Sequence, residues 1–213
     1  MQLREKITPS RTALLIVDMQ NDFCSPGGFI DRQTALSIDM TRRAAERISS
    51  LRDAANALDV LTVHVLSHFD EHYLNPAMRE RLERLGVDPY CVSGTWGAQE
   101  IESLRAGPGE IEVVKHAYDG FYATELEKIL KDRGIETVIM TGLATDNCVA
   151  ATAKGAFYRG HYVVVASDAC AAGSDAQHEM ALLMARHAYA EACTTDDILS
   201  VWSTGVPDDP CVS

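Results

Sequence analysis

Short apolar runs rich in β-forming residues alternate with helical patterns along almost the whole chain, and this alternation constrains the fold more than any other feature. In the helical segment 40–59, for example, Ala44, Ile48, Leu51 and Ala55 recur at steps of three and four residues. Such alternation predicts a parallel sheet with helices on both faces. The predicted strands are 12–17, 61–66, 111–114, 137–141, 162–166 and 192–194, and the predicted helices are 40–59, 76–85, 125–133, 148–159, 174–189 and a last one ending at residue 202.

The composition is that of a globular protein with an acidic surface. The chain has 213 residues, of which 46% are hydrophobic and 23% charged, and its net charge is −12. No internal repeat or low-complexity linker interrupts it, so we expect one domain over residues 1–213. The negative charge argues against a nucleic-acid partner and against binding to an anionic membrane.

Cysteine usage and hydropathy favour a cytoplasmic protein. Six cysteines are scattered along the chain without a C-x-x-C pair, a pattern that suits reduced thiols better than a disulfide framework. No apolar run is long enough to span a bilayer, and residues 1–9 lack the apolar core of a signal peptide.

Cys148 lies at a predicted strand-to-helix turn. An apolar run at 136–140 precedes it, and the helix that follows is closed by Gly160. At a helix N-terminus, free N–H groups and the helix dipole favour a thiolate. The sequence therefore indicates a reactive cysteine at this turn.

Two further ionisable residues follow predicted strands. Asp18 comes directly after the first strand and Lys115 directly after the third. Function in parallel sheets gathers at the carboxyl ends of the strands, so Asp18, Lys115 and Cys148 are candidates for one site. The alternative is structural: an ordinary Asp18–Lys115 ion pair, with Cys148 as a small buried hydrophobe.

Three motifs occur in order on these elements: Asp18-Met-Gln-Asn-Asp-Phe23, Lys115-x-x-x-Asp-Gly-Phe121 and Gly142-x-x-Thr145-x-x-Cys148. With them, the chain resembles the isochorismatase-like cysteine hydrolase superfamily over about residues 10–202. The resemblance implies a three-layer α-β-α fold with a six-stranded, mainly parallel sheet of Rossmann-like topology.

The resemblance also implies roles for these residues. Asp18 would be the general base, Lys115 the lysine that orients it and balances charge, and Cys148 the nucleophile. The backbone amides of Ala144, Thr145 and Cys148 would form the oxyanion hole, next to a cis peptide bond before Ala144. The superfamily commonly forms homodimers and homotetramers, so we expect one of these assemblies here.

The metal-binding pattern of the nicotinamidases in this superfamily is not matched. Their Asp-x-His motif falls on Ser67 and Phe69 here. His68 and His72 have a spacing that could bind a metal on a helix, but this stretch is better interpreted as a loop with two surface histidines. We therefore predict no metal and no cofactor.

The closest motif match is to the ureidoacrylate and carbamoyl amidohydrolases. The stretch Phe69-Asp-Glu-His-Tyr73 is similar to a segment of ureidoacrylate amidohydrolases, as is Tyr118-Asp-Gly-Phe121. This implies a small amide or ureide substrate of the ureidoacrylate, biuret or N-carbamoyl type. Residues expected to bind it are Phe23, Phe69, Tyr118 and Phe121, with Trp96 as a further aromatic candidate.

Several alternatives stay open at this point. An isochorismatase-type or nicotinamidase-type hydrolase has the same fold, and a protein with a redox-active thiol at Cys148 would also use a reactive cysteine. Gln20 and Asn21 could orient a substrate or satisfy loop backbone groups, and Cys24 could place a second thiol near the pocket. Asp168 is interpreted as the cap of a turn or a helix.

Overall fold

A six-stranded sheet with parallel pairings forms the middle layer of the computed structural model, which describes residues 2–33 and 38–204. The strands lie in the order β3-β2-β1-β4-β5-β6, and each neighbouring pair is parallel. The predicted six-stranded parallel sheet is confirmed. The strands are β1 (Thr12–Val17), β2 (Leu61–Ser67), β3 (Ile111–Lys115), β4 (Thr137–Leu143), β5 (Tyr162–Ala171) and β6 (Glu191–Cys193).

Helices follow the strands in the expected alternation. Within the described residues they are α1 (Leu3–Lys6), α2 (Asn21–Cys24), α3 (Phe29–Gln33), α4 (Asp39–Ala57), α5 (Pro76–Leu85), α6 (Leu126–Asp132), α7 (Cys148–Tyr158), α8 (Asp175–Ala188) and α9 (Thr195–Ser203), with 3₁₀ turns at Pro9–Arg11 and Glu102–Leu104. None of the described helices is long and apolar enough to cross a membrane.

Both faces of the sheet are buried, which makes the fold three-layered. Along β1, Leu14 and Ile16 point into a core shared with α4 and α9, whereas Ala13, Leu15 and Val17 point into a core shared with α6, α7 and α8. Continuous burial of this kind is the reason the strand sequences are apolar throughout rather than alternating. The three-layer α/β fold class is therefore confirmed.

The strand order reverses between β1 and β4, and this is where ligands bind in open α/β sheets. The two strands approach closely here. A Cβ atom at Gly142, whose φ is +101°, would lie 2.0 Å from the carbonyl oxygen of Val17. Only glycine therefore fits beside the last residue of β1.

The fifth strand is longer than predicted, extending to Ala171 rather than ending at 166. Ser167 and Asp168 made the sequence look like the end of a strand, but both are satisfied inside it. The Ser167 hydroxyl donates to the carbonyl of Cys193, and one Asp168 oxygen accepts from the Thr195 amide. Asp168 thus supports the start of α9, as expected for a capping residue, and its other oxygen pairs with Arg47.

Candidate active site

Asp18, Lys115 and Cys148 meet at the carboxyl edge of the sheet. Asp18 follows β1, Lys115 ends β3, and Cys148 begins α7 after β4. The Lys115 Nζ atom lies 2.9 Å from Asp18 Oδ2 and 3.5 Å from Cys148 Sγ. All three side chains are buried. The structure therefore brings together the three residues that the sequence singled out.

Ser67 is a fourth member of this cluster. It is the last residue of β2, in register with Lys115. Its hydroxyl donates to Asp18 Oδ1 over 2.9 Å and accepts from Lys115 Nζ over 2.6 Å. Sequence reasoning noted Ser67 only as a departure from the residues that nicotinamidases and ureidoacrylate amidohydrolases have after the second strand. The signal that could have found it is its position at the end of the strand that lies between β1 and β3.

The electrostatics of the cluster favour a charged lysine and a protonated thiol. Burial alone would lower the pKa of Lys115, but the negative charge of Asp18, with that of Cys148 whenever it is a thiolate, outweighs burial and raises that pKa. Burial raises the pKa of Cys148, and the negative charge of Asp18 raises it further. The helix N-terminus was expected to favour a thiolate, and in the resting site these two effects outweigh it. Cys148 would therefore need a base to become a thiolate.

Asp18 is held in an uncommon backbone conformation, with φ at +54°. Its amide donates to the Val65 carbonyl, which fixes the turn after β1. Gln20 completes the turn: its side-chain amide group accepts from the Ser67 amide and donates to the Ser67 and Ala98 carbonyls. Of the two roles considered for Gln20, the structure shows the satisfaction of loop backbone groups.

The turn before Cys148 contains a cis peptide bond between Leu143 and Ala144, as the superfamily resemblance implied. The Thr145 amide donates to the Ala171 carbonyl over 2.8 Å, so it has no hydrogen left for an oxyanion. This differs from the prediction, which included Thr145 among the donors. Ala144 and Cys148 are the remaining amides of the predicted set. The Thr145 hydroxyl contacts the buried His178 Nδ1 at 2.8 Å, which anchors the turn to α8.

A cavity of about 360 Å³ opens over Asp18 and Cys148. Phe23, Phe69 and Tyr118 line it, as predicted from the sequence. Two aromatic residues that sequence reasoning missed complete the wall: Phe29 and Tyr90, whose rings stack with centroids 4.2 Å apart. Phe29 begins the short helix α3 and Tyr90 lies in an irregular segment, so no periodic pattern marked either of them.

Phe121 is not among the described residues that line this cavity. It is 3% exposed and packs in the core between the sheet and α7, with the Arg159 guanidinium 4.6 Å from its ring centroid. The Asp119 carboxylate accepts from the Phe121 amide and turns the chain inward. The structure thus places Phe121 in the core behind the cavity, and its substrate-binding role stays a prediction. Trp96 is half exposed and is likewise absent from the described lining residues.

The two histidines after β2 lie apart from the thiol cluster. His68 Nδ1 contacts the Ser93 hydroxyl at 3.0 Å, and burial lowers the pKa of this imidazole. His72 packs on Tyr73. Among residues 2–33 and 38–204, no three His, Cys, Asp or Glu side chains converge in a way that could hold a metal ion. Cys24 is buried, and burial together with Asp18 raises the pKa of its thiol.

Comparison with known proteins gives a family and a set of similar structures. The family model of the isochorismatase domain matches residues 12–197. A cysteine hydrolase from Pseudomonas syringae pv. phaseolicola is 25% identical, with a TM-score of 0.83 over 93% of this chain and 95% of that one. An N-carbamoylsarcosine amidase from Thermoplasma acidophilum is 27% identical, with a TM-score of 0.70 over 87% and 97% of the two chains.

A nicotinamidase from Bacillus subtilis is also similar, at 27% identity and a TM-score of 0.73 over 86% of this chain and 99% of that one. The matched family segment begins at β1 and ends within α9, so it contains every strand of the sheet and the whole Asp18–Lys115–Cys148 cluster. This chain is a member of the isochorismatase family and shares the fold of its cysteine hydrolases.

Proposed function

We propose that the protein is a cysteine amidohydrolase that cleaves the C–N bond of a small linear amide or ureide through a thioester intermediate. The observation that carries the proposal is the buried Asp18–Lys115 pair beside the Cys148 thiol at the base of an aromatic cavity. The names of two similar structures, an N-carbamoylsarcosine amidase and a nicotinamidase, support amide chemistry on this fold.

The first half of the proposed reaction forms the thioester. Asp18 accepts the thiol proton, and the nearby Lys115 ammonium balances the charge of the thiolate. The thiolate attacks the carbonyl carbon, and the Ala144 and Cys148 amides would bind the resulting oxyanion. Asp18 then returns its proton to the leaving nitrogen as the C–N bond breaks, which releases the amine or ammonia.

The second half regenerates the enzyme. Asp18 takes a proton from a water molecule, and the hydroxide attacks the thioester carbonyl. The C–S bond then breaks, the acid or carbamate product leaves, and the Cys148 sulfur regains the proton from Asp18. In this scheme Asp18, Lys115 and Cys148 act as a catalytic triad, and the cycle uses no oxidant and no group outside the chain except water.

The alternatives make different demands on the same site. A nicotinamidase-type reaction would place a planar ring against Phe69 and Tyr118 and would use the same thiol. An isochorismatase-type reaction on a vinyl ether needs an acid and no thiol nucleophile. A redox protein would need Cys148 to react with peroxide at a useful rate, which the raised pKa of this thiol opposes.

Ammonia release by chelator-treated protein tests the proposal. The panel is ureidoacrylate, biuret, N-carbamoylsarcosine, maleamate and nicotinamide, with isochorismate followed by its own product. We expect hydrolysis of a ureide or linear amide that is lost in Cys148→Ala and retained in Cys193→Ala, a half-buried thiol on β6. Full activity of Cys148→Ala would contradict the mechanism. Inactivity on every amide, with rapid peroxide oxidation of Cys148, would favour the redox alternative.

We further propose a cytoplasmic location and a homodimeric or homotetrameric assembly, on the basis of the cysteine pattern and the superfamily resemblance. Sedimentation equilibrium of the purified chain measures the assembly directly, and a monomer at micromolar concentration would contradict it.

A further inference from the structure

Helix α5 carries three arginines with different surroundings, and one of them lines the active-site cavity. Arg79 donates to the carbonyls of Glu71 and Leu74. Arg84 forms an exposed ion pair with Glu80 over 3.3 Å. Arg81 instead lines the cavity that contains Asp18 and Cys148.

The Arg81 guanidinium is positioned by the aromatic wall. Its central carbon lies 6.0 Å from the centroid of the Tyr118 ring, within the range of a cation–π contact. Arg81 also interacts electrostatically with Tyr90. Burial raises the pKa of the Tyr90 phenol, and the positive charge of Arg81 opposes that rise. A guanidinium held on an aromatic face keeps its N–H groups free to bind a planar anion from one side.

The other charged residues that line the cavity, Asp18 and Asp146, do not lie on α5 with Arg81. Asp18 is neutralised by Lys115 at 2.9 Å. Asp146 is exposed in the turn between β4 and α7, and with Lys154 it also lines the neighbouring groove between α7 and α8. Arg81 is thus the one cation among the described residues that line the cavity, in a chain whose net charge is −12.

We infer that Arg81 is a specificity-determining residue that binds a carboxylate on the substrate, at the end remote from the scissile carbonyl. This inference rests on the proposed function, because it assigns the far end of the amide or ureide cleaved at Cys148. The substrate class is then an anionic amide or ureide, such as a carbamoylated amino acid. Arginine suits this role because its fork of N–H donors matches the two oxygens of a carboxylate.

Paired substrates test the kinetic consequence. N-carbamoylglycine and 3-ureidopropionate carry the carboxylate, and 2-hydroxyethylurea and 3-hydroxypropylurea are their neutral counterparts. We expect Arg81→Ala to lower kcat/KM for the better carboxylate by about 10- to 100-fold, the loss typical of a charge-assisted hydrogen bond. The kcat/KM for the neutral ureas should change less than about twofold. The Arg84→Ala control should leave kcat/KM unchanged for both classes of substrate, because Arg84 lies outside the cavity lining.

Binding measured without turnover separates this inference from the proposed function. In the Cys148→Ala background, calorimetry gives the affinity for each carboxylate and for its neutral counterpart, with and without Arg81→Ala. A preference for the carboxylate that disappears with Arg81→Ala supports the anion site, even if wild-type protein hydrolyses no amide. Equal affinity for both members of each pair, or a preference that survives Arg81→Ala, would overturn it.

Discussion

Lys115 has each of its three ammonium donors directed at one member of the buried cluster. The Nζ atom contacts Asp18, Ser67 and Cys148 at 2.9, 2.6 and 3.5 Å. A lysine has no acceptor and three donors, so these contacts use its full capacity. In the proposed mechanism it is therefore a fixed positive charge that orients the Asp18 carboxylate and stabilises the thiolate once it forms.

Lys115→Ala should remove that charge and leave Asp18 buried without a counterion. We expect kcat/KM to fall by about 10²–10⁴-fold. The free energy of unfolding should fall by about 3–5 kcal/mol, the usual cost of breaking a buried pair. Steady-state kinetics and urea unfolding measure the two effects, with Lys128→Ala as the control, because Lys128 forms an exposed pair with Asp132. A nearly unchanged kcat/KM would remove Lys115 from the mechanism.

Asp18→Asn should separate thiol reactivity from turnover. The negative charge of Asp18 raises the pKa of Cys148, so its removal should lower that pKa and speed alkylation of Cys148 by iodoacetamide at pH 7–8. Amide hydrolysis should nevertheless be lost, because no base remains. Asparagine also tolerates the positive φ of this position. Peptide mass spectrometry of the alkylated site gives the rate. Slower alkylation, or retained turnover, would contradict Asp18 as the base.

The residue-level chemistry depends on short elements that hold the aromatic wall. Asp22 of α2 accepts from the Phe29 amide at 3.1 Å and from the Cys91 amide at 2.6 Å. It thereby joins α3 to the loop that carries Tyr90. The packing is tight, because a Cβ atom at Gly97 would lie 2.1 Å from an Asp22 oxygen. One buried carboxylate thus positions both aromatic residues that sequence reasoning missed.

Asp22→Ala should loosen the cavity wall without touching the reacting groups. Two buried amides would lose their acceptor, at a cost of about 1–3 kcal/mol in unfolding free energy for each unsatisfied group. We expect KM to rise severalfold with a smaller change in kcat. Asp31→Ala is the matched control, because Asp31 accepts from the Gly27 amide in an exposed position. An unchanged KM together with a lower kcat would show that Asp22 acts on the chemistry instead.

Elements with local signals were predictable and those that depend on distant contacts were not. Helix α5 has the predicted bounds, because Asn75 caps it, Pro76 occupies its first turn and Gly86 ends it. Strand β1 also matches. The short helices α2 and α3 were not predicted, since four or five residues give no periodic pattern. The Asp18–Lys115–Cys148 cluster could be predicted from the strand ends, whereas Tyr90 reaches the cavity only through the fold of the irregular segment 86–110.

On the scale of the whole molecule, buried thiols make stability depend on pH. Burial raises the pKa of Cys24, Cys91, Cys148 and Cys170, whose usual value is near 9. Above pH 9 the unfolded chain loses these protons first, while the folded chain keeps them. The stability contribution is therefore present below pH 9 and is lost as the pH rises, with a limiting slope of about 1.4 kcal/mol per pH unit for each thiol.

Urea unfolding under reducing conditions at pH 7, 8, 9 and 10 measures this dependence. We expect the free energy of unfolding to be nearly level up to pH 8 and to fall between pH 9 and 10. In Cys170→Ala, which lacks one buried thiol away from the Asp18–Lys115–Cys148 cluster, the free energy of unfolding should fall less steeply with pH. An equal slope in wild type and Cys170→Ala would show that other groups cause the alkaline loss.

Gly142 has a consequence for the results of a mutational scan of this protein. Its lack of a side chain lets β1 and β4 lie in close contact where β1 leads into Asp18 and β4 leads towards Cys148, the base and nucleophile of the proposed mechanism. Even alanine there would push the Val17 carbonyl away. Substitutions at 142 should therefore lower activity and cellular abundance together, whereas Cys148→Ser, which breaks no ion pair, should lower activity alone. A residue without a functional side chain would thus appear essential in an activity assay. Only abundance measurements on the same variants would distinguish it from the residues of the proposed mechanism.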